Sequence, residues 1–90
     1  MATVIIIIKL MPDSPEANLD EIKSAAKAII EKESAKNISF EEKPIAFGLK
    51  AIFIRISLPE EKGSEIVEKT LSKISGVSSV TIEDYRRAFG

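Results

Sequence analysis

The stretch TVIIIIKLM at Thr3–Met11, followed by PDSP at residues 12–15, decides how the rest of the chain is interpreted. Its β-branched and aliphatic residues favour a strand, and the prolines and polar residues after it are typical turn formers. The run is far shorter than the roughly 20 apolar residues of a membrane-spanning helix, and Lys9 interrupts it. We therefore predict a β-strand here and no association with a membrane.

A helix is predicted over residues 18–33, where apolar residues recur at helical spacing. Asn18 can accept a hydrogen bond from the backbone of Glu21, as an N-cap residue does. One apolar face follows from the spacing of three, four, seven and eight residues. Its members are Leu19, Ile22, Ala26, Ile29 and Ile30.

Three further strands and a second helix complete the pattern. Alternation of apolar and polar residues predicts strands around Ile38–Phe40, over Leu49–Leu58 and over Val77–Asp84. The second helix is expected to begin with Ser64 as its cap and to stop at Gly76. Val67, Leu71 and Ile74 form its apolar face.

The element order is therefore βαββαβ, which predicts an α+β fold. Two βαβ crossovers joined by a hairpin give a ferredoxin-like sandwich, with a four-stranded antiparallel sheet and two helices on one face. The first and third strands lie in the centre. If Val4 and its alternating partners face the helices, Ile5, Ile7 and Phe53 face the open side. That patch is either an interaction surface, such as a seam between two copies, or ordinary exposed apolar surface.

Composition excludes most covalent chemistry. The 90 residues contain no cysteine and no histidine, and 13 basic against 14 acidic residues give a net charge of −1. Bulk charge therefore does not attract nucleic acid. The acidic pairs Glu41–Glu42 and Glu60–Glu61 lack a metal-binding spacing and are interpreted as solvated surface. We expect no metal and no cofactor. The absence of glutamine, with abundant Ile, Lys and Glu, is typical of heat-adapted proteins.

The segment KPIAFGLKA at residues 43–51 places an aromatic residue near the tip of the predicted hairpin. Pro44 and Gly48 bracket Ile45 and Phe47, so the connection is stiff and still carries a bulky ring. Either Phe47 folds back onto the core, or it anchors the chain in a pocket of a partner.

The C-terminal segment contains adjacent arginines beside an aromatic residue. Arg86 and Arg87 follow Tyr85, and Glu83 and Asp84 precede it. The arginines belong either to a solvated tail or to one that pairs with these carboxylates, or they present a cation to an acidic or phosphate-containing site. We expect them to lie at the same end of the sheet as Phe47 and to act with it on one partner.

Other ferredoxin-like functions have little support in the residues. An RNA-recognition sheet needs stacking aromatics on both central strands, whereas only Phe53 is available. A phosphate-cradling Gly/Arg loop does not follow the first strand, where residues 11–15 read MPDSP. A small-molecule- or RNA-binding module therefore remains an alternative carried by the fold alone.

Several segments resemble archaeal elongation factor 1-beta. These are MPDSPEANLDEIK, PIAFGLKAI, GVSSV and EDYRR, and the resemblance covers essentially the whole chain. PIAFGLKA is the most specific of them, because eukaryotic relatives carry a similar Pro-x-aromatic-Gly segment.

The resemblance implies a single exchange domain over residues 1–90 that promotes GDP release and GTP reloading on elongation factor 1-alpha in the cytoplasm. The expected partner is that GTPase in its GDP-bound and nucleotide-free forms, and no covalent step is implied. Phe47 matches the family's aromatic wedge. Arg87, or else Arg86, stands where eukaryotic members carry a basic lysine. The partner-binding residues expected are Pro44, Ile45, Phe47, Gly48, Tyr85, Arg86 and Arg87.

Overall fold

Four strands and two helices occur in the predicted order βαββαβ. The computed structural model describes residues 3–88, except for the side chains of residues 62, 64 and 88. The elements are β1 (Thr3–Pro12), α1 (Leu19–Lys32), β2 (Lys36–Pro44), β3 (Lys50–Pro59), α2 (Ser64–Leu71) and β4 (Val77–Ala88). Short 3₁₀ turns at Ala46–Gly48 and Glu60–Lys62 precede β3 and α2.

The strands form one antiparallel sheet in the order β2-β3-β1-β4, so the predicted ferredoxin-like fold with β1 and β3 in the centre is confirmed. Because β2 and β1 both pair antiparallel with β3, they run in the same direction, and β4 runs against them. The sheet has two ends, at which its strands begin and finish. We call one of them the hairpin end, where β1 and β2 finish and β3 and β4 begin. We call the other the terminal end, where β1 begins and β4 finishes.

The core lies between the sheet and the helices. Alternate residues of β1 and β3 face each other across the pair, as Ile6 does with Ile56 and Ile8 with Ile54. These side chains are fully buried against one face of each helix, as the alternation predicted. The buried helix residues are Ile22, Ala26, Ile30, Val67 and Leu71.

Helix α1 begins as predicted, whereas α2 differs at both ends. The Asn18 side chain accepts a hydrogen bond from the Glu21 backbone at 3.1 Å. For α2 the N-cap is Gly63, so the prediction that Ser64 caps the helix is wrong. The predicted end at Gly76 is also wrong, because α2 stops at Leu71. Tighter i→i+3 backbone bonds then carry the chain toward Gly76, whose φ of 93° turns it into β4.

Strand β4 is four residues longer than the predicted strand, which ended at Asp84. Residues 85–88 pair with the start of β1, from Thr3↔Ala88 to Ile6↔Tyr85. Charged residues hide this extension in the sequence, since an edge strand needs no apolar residues where its side chains face water. The C-terminal segment with Tyr85, Arg86 and Arg87 is therefore part of the sheet.

An ion pair between Lys23 and Glu42 links α1 to the edge strand β2. The hydrogen bond from the Lys23 ammonium, together with its positive charge, holds the pKa of the Glu42 carboxyl below its ordinary value. Lys50 adds a smaller effect in the same direction. The folded state therefore favours the ionised carboxylate, and this stabilisation disappears when the carboxylate is protonated.

A pH series tests this link. We expect Lys23→Gln to lower the thermal midpoint at pH 7. Because the folded pKa of Glu42 lies below its ordinary value of 4.5, the difference from wild type should persist above that value and vanish as the pH falls through the lowered pKa. Lys27→Gln, at an exposed position one turn along α1, is the control. A thermal midpoint lowered equally at pH 7 and at the acidic end of the series would contradict the assignment of this ion pair.

The core is tested by matched truncations. Ile54→Ala removes a fully buried side chain and should lower the free energy of unfolding by about 2–5 kcal/mol. Ile66→Ala is the same change at a side chain that is 44% exposed, and it should cost less than about 1 kcal/mol. Urea denaturation measures both, and similar costs would contradict the burial pattern.

Candidate functional site

The hairpin between β2 and β3 holds its aromatic residue in solvent. The Ile45 N–H donates to the Leu49 carbonyl at 2.8 Å, and the Leu49 N–H donates to the Ala46 carbonyl at 3.2 Å. These bonds close the loop, and Phe47 at its tip is 93% exposed, the most exposed large apolar side chain among those described. The sequence left two interpretations open, and the structure rejects the one in which the Phe47 ring folds back onto the core.

Phe47 also adopts a backbone conformation that its side chain disfavours. Its φ of 62° and ψ of 31° lie in the left-handed region, and the next residue, Gly48, continues there with φ 75°. For a residue with a Cβ this conformation costs about 1–2 kcal/mol. Strain and apolar exposure therefore coincide at one residue. Such concentrations of unfavourable local energy are typical of functional sites.

The flanking residues fix the direction of this tip. Pro44 is the last residue of β2 and pairs with Lys50 at the start of β3, so the two strands are paired up to the first and last residues of the loop. Ile45 is half-buried, whereas Pro44 and Gly48 are exposed. A Cβ placed on Gly48 would meet no atom within 4 Å, so the positive φ, and not crowding, favours glycine there.

The predicted arginines lie at the terminal end, each beside a carboxylate. Arg86 is opposite Ile5 on the open face of the sheet, and its Nε donates to Asp84 at 2.8 Å. Arg87 lies on the other face, where it pairs with Glu60 in the turn after β3. A pairing with Asp84 is one of the alternatives that the sequence left open, whereas the contact with Glu60, 27 residues away, was not among them.

The expectation that Phe47 and the arginines share one end of the sheet is wrong. β2 finishes at the hairpin end, while β4 runs the opposite way and finishes at the terminal end. Nine strand steps along β3 separate the two ends by about 30 Å, in a molecule whose longest dimension is 42 Å. Tyr85, which is 47% exposed, lies with the arginines. The sequence-predicted site is therefore two separate surfaces.

The open face of the sheet is mixed and not simply apolar. Ile5, Ile7 and Phe53 point to this face as predicted, and each is half-buried. Lys43 Nζ lies 4.7 Å from the centre of the Phe53 ring, which is therefore partly covered. The charged residues on this face are the basic Lys9, Lys43, Arg55 and Arg86 and the acidic Glu41 and Asp84. The basic residues outnumber the acidic ones, so two copies packed face to face would each bring a net positive face, and self-association stays a prediction that this charge pattern does not favour.

The acidic pairs do not converge on a cation site. Glu41 and Glu42 point to opposite faces of the sheet, since they lie opposite Phe53 and Ile52 respectively. Glu60 is engaged by Arg87. Within residues 3–88, no three acidic side chains are grouped so that they could hold a metal ion. The two helices in this part of the chain are too short or too polar to cross a bilayer.

Comparison with known proteins identifies the family. A sequence profile of the EF-1 guanine nucleotide exchange domain matches residues 5–88. The chain belongs to this family. The elongation factor 1-beta of Methanocella arvoryzae is 46% identical over 90 residues, covering 99% of this chain and 100% of the relative. That of Methanocaldococcus jannaschii is 42% identical over 85 residues, covering 92% and 96%. The resemblance inferred from the sequence is confirmed.

Solved structures with this fold extend beyond the EF-1 exchange domain family. LarC2, the C-terminal domain of a cyclometallase, has a TM-score of 0.66 at 9% identity, covering 99% of this chain and 58% of that one. The de novo designed protein Foldit4 also has a TM-score of 0.66, at 16% identity and 98% coverage of both chains. These similarities concern the fold alone.

The strain at the tip is testable by substitution. Phe47→Asn should leave stability unchanged or raise it by up to about 1 kcal/mol, since Asn tolerates the left-handed region. Phe47→Val should lower it by about 1–2 kcal/mol relative to the Asn variant, because β-branched residues are disfavoured there. For a domain of this size 1 kcal/mol corresponds to about 4–8 °C in the thermal midpoint. Equal midpoints for the two variants would show that residue 47 is not left-handed in solution.

Proposed function

We propose that this protein accelerates GDP release from elongation factor 1-alpha, so that GTP can reload, and that it does so in the cytoplasm without covalent chemistry. Membership of the EF-1 exchange domain family supports the role. The observation that carries the mechanism is the strained, solvent-exposed Phe47 at the tip of a closed hairpin. The GTPase is engaged in its GDP-bound form and held in its nucleotide-free form.

Exchange requires differential binding. The factor must bind the nucleotide-free GTPase more tightly than the GDP complex, and by linkage each ~1.4 kcal/mol of that difference weakens GDP tenfold. Burial of a Phe side chain contributes about 1.5–3 kcal/mol. If Phe47 is buried only in the nucleotide-free complex, this single contact weakens GDP by about 10- to 150-fold. The remaining destabilisation comes from contacts around it.

The rigidity of the tip increases what that contact contributes. Its two closing hydrogen bonds and the strand pair Pro44↔Lys50 hold the loop before the partner arrives. Little conformational freedom is therefore lost on binding, in contrast to a flexible loop. The left-handed conformation of Phe47 is already present in the free protein. Its conformational cost is therefore met on folding and does not reduce the free energy of binding to the GTPase.

Tyr85, Arg86 and Arg87 form a second contact on the same GTPase. Because they lie about 30 Å from Phe47 along the sheet, they reach a different part of the partner. The arginine that provides the cation must exchange its carboxylate, Asp84 for Arg86 or Glu60 for Arg87, for an acidic or phosphate-containing group of the partner. Exposed ion pairs of this kind are worth about 0–1 kcal/mol, so the exchange costs little.

The wedge role is tested by release of a fluorescent GDP analogue from archaeal elongation factor 1-alpha. Phe47→Ala should keep the fold and reduce the acceleration by about 10- to 100-fold, since the ring's burial energy is lost. Ile66→Ala removes another exposed apolar side chain, far from the tip, and should leave the rate within twofold of wild type. Unchanged exchange with Phe47→Ala would reject the wedge.

Single replacements assign the cation. Whichever arginine contacts the GTPase, its change to Ala should reduce exchange by about fivefold or more, as expected for a charge-assisted hydrogen bond. The matching Lys variant should recover part of the rate if charge alone is needed. If neither Arg86→Ala nor Arg87→Ala alters exchange, the second contact must be abandoned.

A further inference from the structure

An open groove of about 500 Å³ lies between α1 and the segment that joins α2 to β4. Its apolar lining is formed by the half-buried Ala17, Ala25, Ile29 and Ile74 and the buried Ile22. Asp13 and Glu21 add carboxylates, and Lys73 adds one ammonium. The groove is thus an apolar cleft with more acidic than basic groups.

The groove lies beyond the end of the shorter helix. Helix α1 has 14 residues, whereas α2 has eight and ends at Leu71, and the segment 73–76 after α2 lines the groove opposite α1. Gly76 lies against Ile22 in the lining of the groove, since a Cβ added to Gly76 would be 3.5 Å from Ile22 Cδ1. The Asp13 N–H donates to the Gly76 carbonyl at 2.9 Å and ties the walls together.

The groove opens at the same end of the sheet as Phe47. Asp13 follows the pair Pro12↔Val77, where β1 finishes and β4 begins, which is the hairpin end. The β1–β4 pair lies two strand spacings, about 10 Å, from the β2–β3 pair that carries the hairpin. A standard interface covers about 800 Å² per partner, a disc of roughly 16 Å radius. A contact area centred on the tip therefore reaches the groove, whereas the proposed arginine contact is a separate area about 30 Å away along the sheet.

We infer that the groove is an additional docking site, beside the tip, for the GTPase that Phe47 contacts, an inference that rests on the proposed function. The site accepts an apolar side chain of that partner, and a neighbouring basic group of the partner pairs with both Asp13 and Glu21. Two contacts on one end of the molecule fix the angle at which the tip enters, as a single ring cannot. The groove thus positions Phe47.

Two alanines on α1 provide a matched test. Ala25 lines the groove, and Ala28, three residues further on, is exposed elsewhere on the helix. Ala25→Arg should raise the Kd for nucleotide-free elongation factor 1-alpha, and the concentration giving half-maximal GDP release, at least tenfold. Ala28→Arg should leave both within twofold of wild type. Circular dichroism and thermal midpoints establish that both variants fold. Equal effects of the two substitutions would overturn the inference.

If Ala25→Arg fails to fold, Glu21→Gln carries the test, with Glu31→Gln in the last turn of α1 as its control. Glu21→Gln alone should weaken binding two- to fivefold and reduce its salt dependence. Identical behaviour of the two would reject the groove.

Phe47→Ala, measured alongside, separates the groove from the proposed function. Loss with Phe47→Ala but not with the groove variants rejects the groove alone. Loss with the groove variants but not with Phe47→Ala rejects the wedge and leaves the groove as a docking site. No loss with either set rejects both.

Discussion

The antiparallel pairing of β1 with both β3 and β4 is the constraint on which the rest of this molecule depends. It places the most apolar strand in the middle of the sheet, where alternate side chains such as Ile6 and Ile8 are fully buried beneath the helices. It also fixes the direction of every other strand. The hairpin of β2 and β3 must therefore project from one end of the sheet, and the last residues of β4 must lie at the other.

A well-packed core allows an unfavourable feature to persist at the surface. Phe47 combines a left-handed backbone with an exposed ring, and neither would be stable in a loop free to rearrange. The loop is held because its strands continue into a sheet that is anchored in the core. The sheet interior therefore supplies the stability, and the tip carries a local conformational cost that this stability tolerates.

The two ends of the sheet differ in the chemistry they offer. The hairpin end presents an apolar knob, together with an apolar groove that has acidic margins. The terminal end presents guanidinium groups, each already beside a carboxylate, and half-exposed Tyr85. A partner that contacts both ends must present a surface about 30 Å long. The groove adds to this asymmetry, because it opens between α1 and the segment after α2 at the hairpin end.

The sequence alone determined the strand alternation, the α1 cap at Asn18, the βαββαβ order and, through PIAFGLKA, the family and the aromatic tip. These features are local, since each depends on residues within a few positions of one another. The length of β4, the distance between Phe47 and the arginines, the Arg87–Glu60 pair and the groove were decided by the tertiary structure. Each depends on which strand lies beside which, and in which direction it runs. Residues 85–88 join the sheet because the free edge of β1 has backbone groups with which they can form hydrogen bonds. The pattern of their own side chains does not indicate this pairing.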